Sequence, residues 1–240
     1  MGPTLMPRVG ATIAERYQAV VARVAAAAAR AGRSPIDITI VVAAKSFGAE
    51  ALCEVAAAGA RDIGENYVQE ATRKAAATRL PGLRWHMIGR LQRNKAKQAL
   101  HIFDLIHSVD RVELARDLDS CAAAMGVTAR CLVEVNLGGE PSKGGIPVDL
   151  LRRFFEATAA FSRLEIRGLM AIPPPGTVDE SRGCFAKLRA LRDDLDDLRL
   201  PHVQLKELSM GMSADFEAAI EEGATFVRIG TAILGPRAKR

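Results

Sequence analysis

The sequence predicts an α/β protein: a (β/α)8, or TIM-type, barrel with a leading N-terminal helix. Short runs rich in β-branched and apolar residues alternate with segments of helical periodicity, the pattern that implies parallel strands. Eight such strands, after one extra helix, fit within 240 residues, which suits a closed barrel. No G-x-G-x-x-G follows the first strand, which weakens the rival arrangement, an open doubly wound dinucleotide-binding sheet.

The elements follow in order. Residues Ala11–Ala31 are alanine-rich, with Ile13, Tyr17, Val20, Val21 and Val24 at helical spacing and Gly32 as the stop. Ile38–Ala44 reads as a strand buried on both faces, and Ala49–Ala58 as a helix ending at Gly59. Ala60–Ile63, Arg84–Ile88, Leu105–Ser108 and Ala129–Leu137 are the next strands. The helices between and after them are Tyr67–Thr78, Asn94–Leu100, Val112–Met125 and Pro147–Phe161, with Pro147 suited to a first turn. Glu165–Ile172 is a strand, Asp179–Leu198 a charged amphipathic helix and Val203–Ser209 a strand. Ser213 is placed to cap a helix over Ala214–Glu222, and Phe226–Gly230 is the last strand. Pro173–Gly176 is too short for a linker, so one domain is expected over residues 1–240.

Composition narrows the function. The chain is 49% hydrophobic and 25% charged, ordinary for a globular protein. It has no apolar run of membrane-spanning length and no signal-peptide core, so a cytoplasmic, membrane-free protein is expected. Cys53, Cys121, Cys131 and Cys184 form no C-x-x-C pair and read as reduced thiols. The net charge of +5 is spread out. The basic cluster Arg90, Arg93, Lys95 and Lys97 lacks interleaved aromatics, which argues for a solvated face and against nucleic acid.

A barrel of this class carries its chemistry at the C-terminal ends of its strands. Those ends supply Lys45, Gly64-Glu65-Asn66, Gly89-Arg90, Ser108-Val109-Asp110, Asn136, Ala171-Ile172, Ser209-Met210-Gly211 and Gly230-Thr231. Lys45 follows an apolar strand, where partial desolvation favours the neutral amine that attacks an aldehyde. The glycine-containing turns SMGMS and RIGTAILG fall where this fold binds phosphate, with hydroxyls from Ser209 and Thr231. Arg228 lies inside an apolar strand and requires a partner, either a carboxylate such as Glu134 or a ligand atom. A Schiff-base lysine, a phosphate cradle and an arginine near a ring nitrogen together describe a pyridoxal 5'-phosphate site.

The segments VVAAK, IGENYVQEA, WHMIGRLQRNK, IHSVDR, EVNLGGEPSKGGI, RGLMAIPP and LSMGMSADFEAAIEEGATFVRIGTAILGPR resemble those of the pyridoxal phosphate homeostasis proteins. These are stand-alone relatives of the alanine racemase barrel domain. The resemblance runs from about Ile38 to Arg237. It implies pyridoxal 5'-phosphate bound to Lys45, phosphate contacts from Ser209, Met210, Gly230 and Thr231, Arg228 facing the pyridine nitrogen, and Asn66 near the ring. It further implies a cofactor carrier or buffer without clear turnover, with pyridoxal-phosphate-dependent apoenzymes as acceptors. An arginine cation beside the pyridine nitrogen disfavours its protonation, which agrees with weak catalysis. The chain ends at Arg240 without room for the β-rich domain whose tyrosine racemases use, and its tyrosines, Tyr17 and Tyr67, read as helical. A monomer is expected. The alternatives are a pyridoxal phosphate enzyme of racemase or lyase type and a barrel that holds some other phosphorylated metabolite. Ala44, Ser46, Arg90 and Arg93 depart from the family pattern at the rim of the site.

Two further features complete the reading. Gly138–Gly145 fails the P-loop pattern, because Gly145 and Ile146 stand where Lys and Ser/Thr are required. Within that stretch, Lys143 is either a surface lysine or a transient acceptor of the aldehyde. His86, His101, His107 and His202 show no metal-ligand spacing, and His86 reads as a core histidine.

Overall fold

The computed structural model describes residues 10–139, 144–196 and 198–236. The leading helix α1 spans Ile13–Arg30. Thr12 caps it reciprocally with Glu15, satisfying two orphan N-terminal amides. Its buried stripe, Tyr17, Val20, Val24, Ala27 and Ala28, has the spacing expected of one helix face.

Among the described residues nine strands follow: β1 Thr39–Ala43, β2 Asp62–Glu65, β3 Arg84–Met87, β4 Leu105–Val109, β5 Ala129–Asn136, β6 Ile146–Pro147, β7 Leu164–Met170, β8 Val203–Ser209 and β9 Phe226–Ile229. All ladders among them are parallel. The order is β4-β3-β2-β1-β9-β8-β7-β5-β6, and the additional β4–β5 pairing closes eight strands into the expected barrel. The two-residue β6 attaches to the end of β5.

The remaining helices are α2 Ala49–Ala57, α3 Val68–Thr78, α4 Ala96–Leu100, α5 Val112–Met125, α6 Leu151–Thr158, α7 Val178–Asp196, α8 Phe216–Glu221 and α9 Thr231–Leu234. The large apolar cluster joins side chains of these helices to the strands. A smaller one, Leu105, Leu132 and Met170 with Phe226 packed against it, fills part of the barrel interior.

Local details depart from the sequence-based expectation. Pro147 does not begin a helix: it pairs with Asn136 in β6, and α6 starts only at Leu151, after a 3-10 turn over Val148–Leu150. The second strand lies two residues later than expected, Asp62–Glu65 instead of Ala60–Ile63, because Asp62 and Glu65 find buried partners. Ser213 does not cap α8, which begins at Phe216 with Asp215 as its N-cap residue. The Ser213 hydroxyl accepts instead from the Ala232 amide, tying the loop that follows β8 to the first turn of the helix that follows β9.

Candidate functional site

The cavity at the C-terminal ends of the strands encloses about 460 Å³. Its lining includes Lys45, Asn66, Glu134, Arg228, Gly230 and Thr231. Five of the seven residues expected to hold the cofactor, Lys45, Asn66, Arg228, Gly230 and Thr231, therefore converge on one space.

Lys45 lies two residues beyond β1, half-buried in a turn. The turn has an unusual backbone: Ser46 adopts φ +72°, a left-handed conformation costly for a residue with a Cβ. Helix α3 holds it there. Glu70 accepts from the Ser46 amide at 3.2 Å, and the Lys74 ammonium donates to the Ala44 carbonyl at 2.9 Å. Lys74 is itself buried and reaches Glu65 at 2.6 Å and Glu70 at 2.8 Å. Burial pushes the Glu65 carboxyl above the usual range despite the Lys74 contact, and its Oε2 has no hydrogen-bond partner among the described residues. In Glu70 burial is outweighed by the Lys74 hydrogen bond and charge together with the Ser46 amide and the Arg73 charge, and the carboxyl falls below that range. Sequence reasoning missed this clamp; Glu65, beside Asn66 in the GEN motif, was its one visible member.

Arg228 is buried in β9. It donates from Nη1 to Ser209 Oγ at 2.5 Å and from Nη2 to the Ala171 carbonyl at 3.0 Å. Burial pulls the guanidinium down to about 10, with Glu134 and Asp215 opposing, so it remains a cation at neutral pH. Glu134, the carboxylate considered from sequence, acts on Arg228 through charge; the hydrogen bonds go to Ser209 and Ala171. The Glu134 carboxyl is raised by burial and by Asp110.

Ser209 and Met210 are placed beneath the cavity, not on its wall. Both are fully buried. The Ser209 hydroxyl meets Arg228 and His107, and the Met210 amide donates to the Phe226 carbonyl. The loop reaches the cavity further on, through Met212, Ser213 and Ala214. Gly211 makes this possible: at φ +87°, an added Cβ would lie 2.5 Å from the Ala219 Cβ. Met212's own amide is taken by the Asp215 carboxylate at 2.7 Å. From this loop, Ser213 and Ala214 line the cavity with Gly230 and Thr231, where backbone amides and hydroxyls suit an anion.

At the rim, Arg90 lines the cavity with its side chain 75% exposed, 3.5 Å from Asp110. Arg93 is bound by Asp117 at 2.6 Å and Arg111 by Asp110, so two of the three arginines serve neighbouring helices and loops. Lys143 lies outside the described residues.

A family model described as "Alanine racemase, N-terminal domain" matches residues 16–238. The pyridoxal phosphate homeostasis protein of Aquifex aeolicus is 43% identical over 224 residues, 93% of this chain and 97% of that protein. The chain belongs to the family of pyridoxal phosphate homeostasis proteins. The Escherichia coli K12 member of this family is 40% identical over 228 residues, 94% of this chain and 97% of its own. PipY of Synechococcus elongatus PCC7942, in a structure with PLP bound, is 39% identical with a TM-score of 0.82, covering 93% of this chain and 100% of PipY. D-threonine aldolase from Filomicrobium marinum, at 19% identity and a TM-score of 0.71, shares the fold and covers 95% of this chain but 62% of the aldolase. The likeness to the homeostasis family thus spans nearly the full length of both partners, and that to the aldolase spans only its barrel-sized share.

Proposed function

We propose that this chain binds pyridoxal 5'-phosphate at Lys45 and acts as an intracellular carrier or buffer of the cofactor without clear turnover, passing it to apoenzymes. The observation that carries the reading is the convergence of the half-buried Lys45 with Arg228, Gly230, Thr231 and Ser213 on one cavity of about 460 Å³. The donor set suits the cofactor. A primary amine, a fixed guanidinium and two glycine-containing loops match an aldehyde, an unprotonated ring nitrogen and a phosphate. When bound, pyridoxal 5'-phosphate supplies an aldehyde able to link covalently to an amine.

The chain's own residues then divide the work. The Lys74–Glu70 clamp orients the Lys45 turn. Arg228, held by Ser209 and the Ala171 carbonyl, presents a cation to the ring edge. Ser213, Ala214, Gly230 and Thr231 would hold the phosphate, with Ser209 and Met210, the contacts the resemblance implies, buried behind them, and Asn66 would border the ring. Glu134 shares the cavity and opposes entry of a second anion. Two features support the absence of turnover. The curated relatives are named as homeostasis proteins. Among the described residues neither tyrosine lines the cavity: Tyr17 is buried in α1, and Tyr67, ahead of α3, is 64% exposed. The reading includes a monomeric, single-domain, cytoplasmic protein. No helix among the described residues is long and apolar enough to cross a membrane.

The test is the visible spectrum of purified protein before and after Lys45→Ala. The parent should be yellow, with borohydride fixing the chromophore to Lys45, and the variant should be colourless. A variant that binds pyridoxal 5'-phosphate as tightly as the parent would favour a barrel that merely holds phosphorylated metabolites. Rapid deuterium exchange at the α-carbon of amino acids would instead identify an enzyme.

A further inference from the structure

The barrel interior contains a chain of polar side chains. Arg84 and His86 from β3, Asp62 from β2, His107 from β4, Ser209 from β8 and Arg228 from β9 are consecutive neighbours. Arg84 donates to Asp62 at 2.7 and 2.6 Å. His86 Nε2 lies 2.9 Å from Asp62 Oδ1, and His86 Nδ1 lies 2.9 Å from His107 Nε2. His107 Nδ1 lies 2.8 Å from Ser209 Oγ, which Arg228 reaches at 2.5 Å. Every member but Arg84 is buried. Phe226 packs on both imidazoles, with ring centroids 5.7 and 5.3 Å away.

The two ends fix the direction of every hydrogen bond between them. A guanidinium donates only, so Ser209 Oγ must accept from Arg228. The Ser209 hydrogen is then directed at His107 Nδ1. With Nδ1 accepting, neutral His107 carries its proton on Nε2 and gives it to His86 Nδ1. His86 in turn carries its proton on Nε2 and gives it to the Asp62 carboxylate, an acceptor only. Both histidines are neutral in this arrangement, and each hydrogen has an acceptor. With His86 doubly protonated, His107 would have to donate to Ser209, and a hydroxyl accepting from both sides would have its own hydrogen directed at neither partner.

We propose that this one-way chain, Arg228 to Ser209 to His107 to His86 to Asp62, holds Arg228 as a fixed donor toward the cavity, making His107 and His86 positioning residues for the ligand. The idea deepens the cofactor reading and rests on it for the identity of that ligand. An atom placed against Arg228 must accept a hydrogen bond, which selects a ring nitrogen in its unprotonated form. Glu134 and Asp215 act on the guanidinium by charge and favour its cationic form. Protonating His107 would reverse its bond to Ser209 and bring a second cation toward Arg228. The groups facing His107 are His86, Ser209 and Arg228, with the Phe226 ring against it; those acting on Arg228 are Glu134, Asp215 and His107; Asp62 faces His86 and Arg84.

The first test uses apoprotein labelled with 15N-histidine. Long-range proton–nitrogen correlation at neutral pH should show both buried imidazoles neutral and protonated on Nε2. An Nδ1 proton on either, or a doubly protonated His86, would overturn the chain. The second test compares the pH midpoint of the visible absorbance and the pyridoxal 5'-phosphate dissociation constant in parent, His107→Phe and Ser209→Ala. Each variant should bind about tenfold more weakly, with a displaced midpoint. Unchanged affinity and midpoint in a folded Ser209→Ala protein would remove the positioning role. If the parent binds no pyridoxal 5'-phosphate while the Nε2 forms are present, the cofactor reading fails and the chain stands.

Discussion

Two polar networks support residues that line the cavity, and they are built differently. The axial chain from Asp62 to Arg228 passes through neutral imidazoles, and each proton in it has an acceptor. The lateral clamp of Lys74, Glu65 and Glu70 is ionic, and it leaves one buried carboxylate oxygen without a partner among the described residues. A neutral relay sets direction at little desolvation cost. An ionic clamp sets position strongly but depends on every charge being present.

The largest effect should come from breaking the clamp. Lys74→Met leaves Glu65 buried without its cation, a loss of about 3–5 kcal/mol of stability measurable by urea unfolding. Adding Glu65→Gln to that variant removes the uncompensated charge and should restore part of the loss. If Lys74→Met alone costs less than the axial substitutions, the contrast between the networks is mistaken.

Acid should weaken the axial chain. The His107 imidazole lies well below its ordinary value because burial, then His86 and Arg228, disfavour its charge. The unfolded chain therefore binds the proton first. The contribution of His107 is complete above about pH 6.5 and is lost as pH falls further, by up to about 1.4 kcal/mol per unit. Unfolding of the parent and His107→Gln between neutral pH and pH ~5 should show a slope in the parent that the variant lacks. Glu65 has the opposite sign: raised by burial, it weakens the fold as pH rises through its displaced value.

The smallest stability effect belongs to Lys45. It is half-buried in a turn whose position is set by other residues, so Lys45→Ala should change unfolding free energy by no more than about 0.5 kcal/mol. A large loss would mean that Lys45 belongs to the clamp and not to the cavity.

The barrel was legible because β-branched runs and helical periodicities alternate along the whole chain, and Lys45 and Arg228 were legible because each interrupts an apolar strand or ends one. Lys74 was not. In QEATRKAAAT it looks like any exposed helical lysine, and only the packing of α3 on the turn after β1 buries it. The axial chain was hidden by distance along the sequence, since His107 and Ser209 are 102 residues apart. Strand parity held a signal: Asp62, His86, His107, Ser209 and Arg228 each place a polar group where the alternation of faces points into the barrel. The sequence motif also does not show where the loop after β8 turns upward, which Gly211 decides: Ser209 and Met210 are buried, and Met212, Ser213 and Ala214 reach the cavity wall.

The left-handed backbone at Ser46 makes the reach of the neighbouring amine a property of a helix that does not touch the cavity. The turn is kept in an unfavourable shape by anchors on α3, much as a drawn latch is kept by its catch. Loosening the catch would let the amine sample many directions, so capture of an aldehyde would slow even with every lining residue intact.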